Sequence, residues 1–405
     1  MAHAVPDTGW RGRIALFLAS QTVSLFGSSV VGFAVMWHIT LETSSGVWMM
    51  LATLASSLPQ IFVTLFGGVW ADRYNRKWLI MAADGGIALA TLGMAAAFWL
   101  GFGRLELLLV ILVIRAVGSG IQTPAVTALF PQLVPQDQLT KVLGIHQTLN
   151  SLLYLVSPAV GGALYGLLGV GPTLFVDVAT ALAAILVMAR IRVGKVERTD
   201  QPQTVWQDLK AGMAYTFGKP PLRLLLLGYL ASFFLLSPVM TLTPLMVERS
   251  FGGGVWRLTL YETLWTVGML LGGVFVMVRG QFRDKPRTIA VCLVIFGVTT
   301  TLIGLTRDFI SFLAVNVITG FFVPPLNAVE GVYLQELTDP DKLGRVSSVV
   351  QLMSAAAVPL GVLLFGPMAD VVAVEVILIV TGALLAVVGL LYGRAARRLP
   401  LDAGA

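Results

Sequence analysis

Charge is what this chain has least of. Asp, Glu, Lys and Arg make up 12% of its 405 residues, about half the share carried by a water-soluble domain. Hydrophobic residues make up 57%, and the mean hydropathy is +0.85. Water cannot be the main solvent of such a chain. Cysteine is almost absent too: Cys292 stands alone inside an apolar run, which excludes an internal disulfide framework and a cysteine-based metal site. No His-rich metal cluster and no nucleophile beside a base occurs, so the constellations of an enzyme are missing. From Gly212 to Gly218-Lys219-Pro220 the spacing is one residue too long for a Walker A loop, and Pro220 stands where Ser or Thr would bind magnesium. The expectation is a protein that is not an enzyme and needs neither metal nor cofactor.

What the chain has instead is a series of apolar runs of roughly 20 residues, the length that crosses a ~30 Å hydrocarbon core. Twelve are read, near 14–37, 47–70, 78–100, 105–128, 139–168, 173–190, 222–247, 258–278, 288–305, 309–334, 346–368 and 374–392. Arg11 and Arg13 precede a first run too long for a signal peptide, so it reads as an uncleaved helix. The net charge of +6 raises the question of nucleic acid. The basic residues, however, fall in short clusters between apolar runs, the pattern of a topology signal, and no nucleic-acid partner is expected. With the N-terminus inside, the inner loops receive clusters such as Arg73, Arg76 and Lys77, or Arg394, Arg397 and Arg398. The outer loops receive Arg104, Arg249, Arg257 and Arg307. That bias places both termini in the cytoplasm of a multi-pass cell-membrane protein. Trp37, Trp99, Trp256 and Trp265 fall near span ends, where aromatic belts form.

The polar stretch 193–221 divides the spans six and six, giving an N-terminal bundle over 1–192, a cytoplasmic linker over 193–221 and a C-terminal bundle over 222–405. Within the linker, Trp206, Leu209, Met213 and Phe217 recur at helical spacing, as in a helix lying in the membrane interface; an ordinary solvated linker is the alternative. The halves also echo each other. Pro124, Gln132, Leu139, Pro158 and Gly161 are matched by Pro324, Gln335, Leu343, Pro359 and Gly361, a repeat near 200 residues. Weak symmetry between six-helix halves is similar to that of major facilitator transporters, all-α membrane proteins of two pseudo-symmetric bundles with the substrate site between them.

Three motifs carry chemistry. The loop after the second run, Gly68-Val-Trp-Ala-Asp72-Arg73-Tyr-Asn75-Arg76-Lys77, resembles the major facilitator signature G-x-L-A-D-R-x-G-R-K. Gly68 suits close helix packing, Asp72 suits a cation or a helix N-terminus, and Arg73, Arg76 and Lys77 hold the loop inside, so the set reads as a conformational switch or as topology alone. In the fourth run Arg115 lies close to the bilayer centre, where it costs ~2.5–3.5 kcal/mol unless paired. It resembles the family's fourth-helix arginine, which implies proton coupling, with a structural ion pair as the alternative. In the fifth run Ser157, Pro158, Gly161 and Gly162 resemble the G-P-x-x-G-G stretch of antiporters, or serve plain helix packing.

Other polar residues inside the runs are candidate sites, because a polar group in hydrocarbon is expensive. Asp84, Glu262 and Asp177 are carboxylate candidates for a coupled proton, and His146 titrates in the right range. Gln21, Asn150, Asn316 and Gln351 are candidates to line a substrate cavity, and Glu330 is a further acid one or two turns from the cytoplasmic end.

Across nearly its whole length the chain resembles the bacterial macrolide-efflux branch of the major facilitators. The stretches that carry the resemblance include Gln21-Thr-Val-Ser24-Leu, Ile114-Arg115 leading to Thr123-Pro124-Ala125, Gln138-Leu-Thr-Lys141, Tyr154-Leu-Val-Ser157-Pro158 and Leu343-Gly344-Arg345-Val346. The resemblance implies proton-driven export of amphipathic small molecules such as macrolides, by a monomer in the lipid bilayer. Export of siderophores or movement of lipid-like metabolites is the nearest alternative, and a non-transporting receptor or membrane enzyme a remote one.

Overall fold

A computed structural model of the chain describes residues 9–193 and 205–398, the side chains of 205–209 excepted. Among the described residues the fold is all-α, with twelve helices long and apolar enough to cross a membrane. In hydrocarbon no water is present to take a peptide N–H or C=O, so an apolar run must bond its backbone internally, and the helix does so. The crossing helices are α1 (Trp10–Thr43), α2 (Gly46–Arg73), α3 (Arg76–Trp99), α4 (Leu105–Leu133), α5 (Gln136–Leu168), α6 (Val170–Ala189), α8 (Pro220–Phe251), α9 (Val255–Arg279), α10 (Lys285–Leu305), α11 (Phe309–Leu337), α12 (Leu343–Met368) and α13 (Val374–Arg398). The short α7 (Val205–Gly218) is the helix read from the linker. It packs at Gly212 against Arg345 of α12. Residues 194–204 of that linker, with Lys195 and Arg198, lie outside the described residues, as do the side chains of Trp206 and Leu209.

The chain forms two compact units, Met1–Ile39 with Leu54–Gln201, and Thr40–Thr53 with Pro202–Ala405. Each is held by the same glycine contacts. In unit 1 a Cβ on Gly67 of α2 would fall 2.6 Å from the Gly120 carbonyl of α4, an oxygen that Pro124, lacking an N–H, cannot fill. In unit 2 a Cβ on Gly272 of α9 would strike the Phe321 carbonyl of α11, which Pro325 likewise leaves unfilled. Gly120 abuts α2, and Gly320 abuts the Trp265 carbonyl of α9. Gly161 of α5 lies against Val30 of α1, and Gly361 of α12 against Ser237 of α8. The helices α3 and α10 pack on α6 and α13 respectively. The 200-residue echo is therefore a repeated set of backbone contacts. Two expectations change. Gly68, read as the close-packing glycine, faces open space, and Gly67 makes the contact. Trp37 is 1% exposed and packs on Phe33 in the core, whereas Trp99 and Trp256 are exposed.

Unit 2 includes the turn between α1 and α2. Asp370, just past α12, takes the Gly46 amide at 2.6 Å, the Val47 amide at 3.0 Å and the Ser45 hydroxyl at 2.8 Å, and so caps the N-terminus of α2 from a distant part of the chain. Arg249, one of the four outward arginines, bonds Asp370 at 3.0 Å and also the Ser44 carbonyl. The Ser44 hydroxyl donates to Glu248. Burial pushes the Asp370 carboxyl up, but the amides of Val47 and Gly46, the Ser45 hydroxyl and Arg249 outweigh it and hold the group below the ordinary carboxylate range. Such a group contributes stability that is complete above its unfolded value of ~3.9 and is lost as pH falls through the lower folded value.

Two outcomes follow for thermal unfolding in detergent. Gly67→Ala and Gly272→Ala each destabilise by about 1–3 kcal/mol through overpacking, while Gly68→Ala leaves the melting temperature level or raises it; equal losses at Gly67 and Gly68 would contradict the contact assignment. Asp370→Asn costs about 1–2 kcal/mol at neutral pH, and the wild-type advantage shrinks as pH drops below about 4. A gap that widens in acid would mean that the carboxylate is not the capping species.

Candidate functional site

Three helices of unit 1 place their polar residues seven apart, and a fourth adds one acid. On α1 these are Gln21 and Ser28, with Ser24 between them; on α3, Asp84 and Thr91; on α4, Arg115 and Gln122; α6 supplies Asp177. Seven residues are about two turns, so each pair shares a helix face at levels ~10 Å apart. The α3 and α4 helices run in opposite directions in the membrane, so their pairs combine into two layers.

The layer nearer the outer side, by the charge bias, is an ion pair with a polar cage. Arg115 Nη1 donates to Asp177, and Arg115 Nη2 donates to the Ser28 carbonyl at 2.9 Å. The Thr91 hydroxyl sits between the charges, 3.2 Å from Arg115 and 3.0 Å from Asp177 Oδ2, and Ser28 Oγ donates to Asp177 Oδ1 at 2.9 Å. Both oxygens of Asp177 are thus engaged.

Among the described residues the inner layer has no cation. Ser24 Oγ donates to Asp84 Oδ1 at 2.7 Å and Gln122 Nε2 to the same oxygen at 2.8 Å. Gln21, 1% exposed, lies on the same face of α1, and its Nε2 has no hydrogen-bond partner among the described residues. Among the described residues the buried charged side chains of unit 1 are Asp84, Arg115 and Asp177: two carboxylates stand against one guanidinium, and Asp177 has it.

Within its crossing helices unit 2 carries the acids Glu330 and Glu262, which lack a cation among the described residues. Glu330 of α11 is buried and within reach of the Tyr229 hydroxyl of α8. Glu262 is half-buried and accepts from Tyr261 at 2.7 Å. Neither forms an ion pair among the described residues. Asn316 is committed to holding α11 on α9 by donating to the Tyr261 carbonyl at 2.8 Å, while Gln351 of α12 is exposed.

The remaining candidates stand apart from the two layers. His146 and Asn150 are half-buried on α5 and pair with each other at 3.3 Å, with the His146 ring 5.0 Å from Phe130. Ser157, Pro158, Gly161 and Gly162 are buried, and Ser157 Oγ has no partner among the described residues. In the loop motif, exposed Asp72 pairs with Arg76 at 3.5 Å. Arg76 also donates to the Ala128 carbonyl at 2.8 Å, and Lys77 to the carbonyls of Ala189 and Ile191 at 2.7 and 2.8 Å. Cations at the ends of α4 and α6 suit the negative pole of each helix dipole. Arg73 is exposed. Sequence reasoning missed Ser28, Thr91, Gln122 and Tyr229; for the first three, the seven-residue spacing from Gln21, Asp84 and Arg115 is the signal that finds them.

Twelve membrane-crossing helices in two matched repeats, with charged side chains buried inside the first, define a secondary transporter of the major facilitator fold. The family described as transmembrane secretion effector matches residues 13–402, and the chain belongs to it; this is a transport fold and not an enzyme. Macrolide efflux protein A of Streptococcus pyogenes is 30% identical over 382 residues, covering 93% of this chain and 94% of that protein. The multidrug efflux pump Tap of Mycolicibacterium fortuitum is 24% identical over 377 residues, covering 89% and 90%. Among solved structures, a bacterial homologue of the human lysosomal transporter Spinster, in an inward-facing and unoccupied conformation, superposes with a TM-score of 0.72 at 17% identity, covering 97% of this chain and 98% of that one.

Removing one partner of a buried pair is the costly change, because the other charge is left alone. Arg115→Ala is expected to destabilise by about 3–5 kcal/mol, and Arg115→Ala with Asp177→Asn to recover most of it, measured as melting temperature in detergent. If the double variant also recovers export, the pair is structural only; continued loss of export assigns it a role in transport.

Proposed function

We propose that the chain exports amphipathic small molecules, macrolide-type drugs among them, in exchange for protons by alternating access. The observation that carries the proton coupling is the surplus carboxyl of Asp84. Arg115 and Asp177 cancel each other, whereas Asp84 is met by neutral donors from Ser24 and Gln122 alone among the described residues. An unpaired carboxylate in hydrocarbon is expensive, and a proton removes the expense. Asp84 is thus suited to take up a proton in one state and release it in another. In unit 2 Glu262 and Glu330 are the further candidates, each within a crossing helix and without an ion pair among the described residues, and His146 is a weaker candidate because Asn150 occupies one of its nitrogens.

Support for the substrate class comes from the likeness to macrolide efflux protein A over nearly the full length of both chains and from the likeness to a multidrug efflux pump. The apolar composition suits an amphipathic substrate, with few polar groups to orient it. In this reading bundles over 1–192 and 222–405, joined by the linker 193–221, alternate as a monomer. The loop motif of Gly68, Asp72, Arg73, Arg76 and Lys77 acts as a conformational switch, through carbonyl contacts that form and release at the cytoplasmic ends of α4 and α6. Ser157, Pro158, Gly161 and Gly162 let α5 bend against α1, and Gln21, Asn150 and Gln351 offer hydrogen bonds to substrate.

The test is uptake of a fluorescent macrolide into energised inverted vesicles, whose lumen corresponds to the outer side of the membrane. A protonophore is expected to collapse it, and Asp84→Asn to flatten its dependence on pH between about 6 and 8 while the protein still inserts. Transport that survives the protonophore removes the coupling, and an unchanged pH profile in Asp84→Asn moves the proton to another acid, with Glu330→Gln the next variant to measure.

A further inference from the structure

Outside the buried layers, unit 2 carries a cleft of about 510 Å³ between the first turns of α10 and the last turns of α13. By the charge bias both ends are cytoplasmic. Its two walls are helix faces of the same design. On α10, Arg287, Val291 and Ile295 recur every four residues; on α13, Leu390, Arg394 and Arg397 follow at four and three. Each face is therefore basic at the cytoplasmic end and apolar toward the bilayer. The floor is made by close approach of the helices, for a Cβ on Gly389 would come within 2.8 Å of the Val294 amide and one on Gly393 within 3.1 Å of Ala290.

Three guanidiniums converge on the mouth, and among the described residues none of them has an ion-pair partner. The acid at the rim, Asp284, accepts from the Arg287 backbone amide at 3.0 Å and caps α10. Topology alone would be served by arginines anywhere on the loop. It does not call for arginines from two helices to meet over an apolar groove that opens into the bilayer.

We propose that this cleft binds an anionic phospholipid of the cytoplasmic leaflet, its phosphate on Arg287, Arg394 and Arg397 and an acyl chain along Val291, Ile295 and Leu390. Guanidiniums recognise phosphate oxygens in bidentate fashion, and the cytoplasmic leaflet is where anionic headgroups concentrate. The apolar half of the groove selects a lipid over free phosphate, which would leave it unfilled. The net positive mouth selects an anionic headgroup over one whose choline would add a fourth cation. The inference is independent of what the chain transports.

The experiment uses the full chain purified in mild detergent at physiological salt, with bound lipid counted by native mass spectrometry and stability read as melting temperature. Phosphatidylglycerol is expected to be retained and to raise the melting temperature. Phosphatidylcholine with the same acyl chains, and inorganic phosphate alone, are expected to do neither. Joint Arg287→Gln, Arg394→Gln and Arg397→Gln weakens phosphatidylglycerol binding roughly tenfold to a hundredfold, given the usual contribution of each basic residue at an anionic surface. Leu390→Trp weakens it in the same direction with the charge unchanged. A control of equal charge loss, Lys141→Gln with Arg190→Gln and Arg192→Gln, keeps wild-type affinity. Equal retention of phosphatidylcholine, equal stabilisation by inorganic phosphate, or equal loss in the control would each overturn the proposal.

Discussion

A peptide group in hydrocarbon has no water to bond. From that constraint come the twelve crossing helices, and from it also the way they meet. Once each helix has satisfied its own backbone, lipid gives no hydrophobic reason for helices to associate, and close packing has to supply the attraction. The chain achieves it by setting glycines against carbonyls that a proline has left unfilled, at Gly67 with Gly120 and Pro124, and at Gly272 with Phe321 and Pro325. The two units share this device because they share the repeat.

The same solvent governs charge. Arg115 is tolerable deep in unit 1 because Asp177, Thr91, Ser28 and its carbonyl surround it. Two turns away, Asp84 has hydrogen-bond donors and, among the described residues, no cation. One layer is therefore electrically balanced and the other is not, although both are built from neighbouring helices at the same spacing. At the outer face water is available and the logic reverses: Asp370 is ionised because amides, a hydroxyl and Arg249 all favour its charged form.

Much of the site was legible in the sequence. A charge inside an apolar run is conspicuous, and Asp84, Arg115, Asp177 and Glu330 could all be named from that alone. Their neutral partners could not, because Ser, Thr and Gln in a helix carry no comparable signal; Ser28, Thr91 and Gln122 emerge only when the seven-residue spacing is laid over the charged positions. The loop glycine shows the limit of motif reading. Gly68 holds the signature position, yet the contact belongs to Gly67, one residue and about 100° around the helix. Asn316 shows another limit, since its amide nitrogen donates to the Tyr261 carbonyl, a contact between helices that the sequence does not record.

Composition and run length fixed the solvent and the number of spans, because these are sums over some twenty residues that no local detail can reverse. Which carboxylate Arg115 would neutralise, and so which one would be left open, rested on the rotation of α3, α4 and α6 about their own axes. A linear chain does not record that rotation; only packing decides it, when glycine contacts set the helices at one azimuth and bring Asp177, rather than Asp84, to the guanidinium.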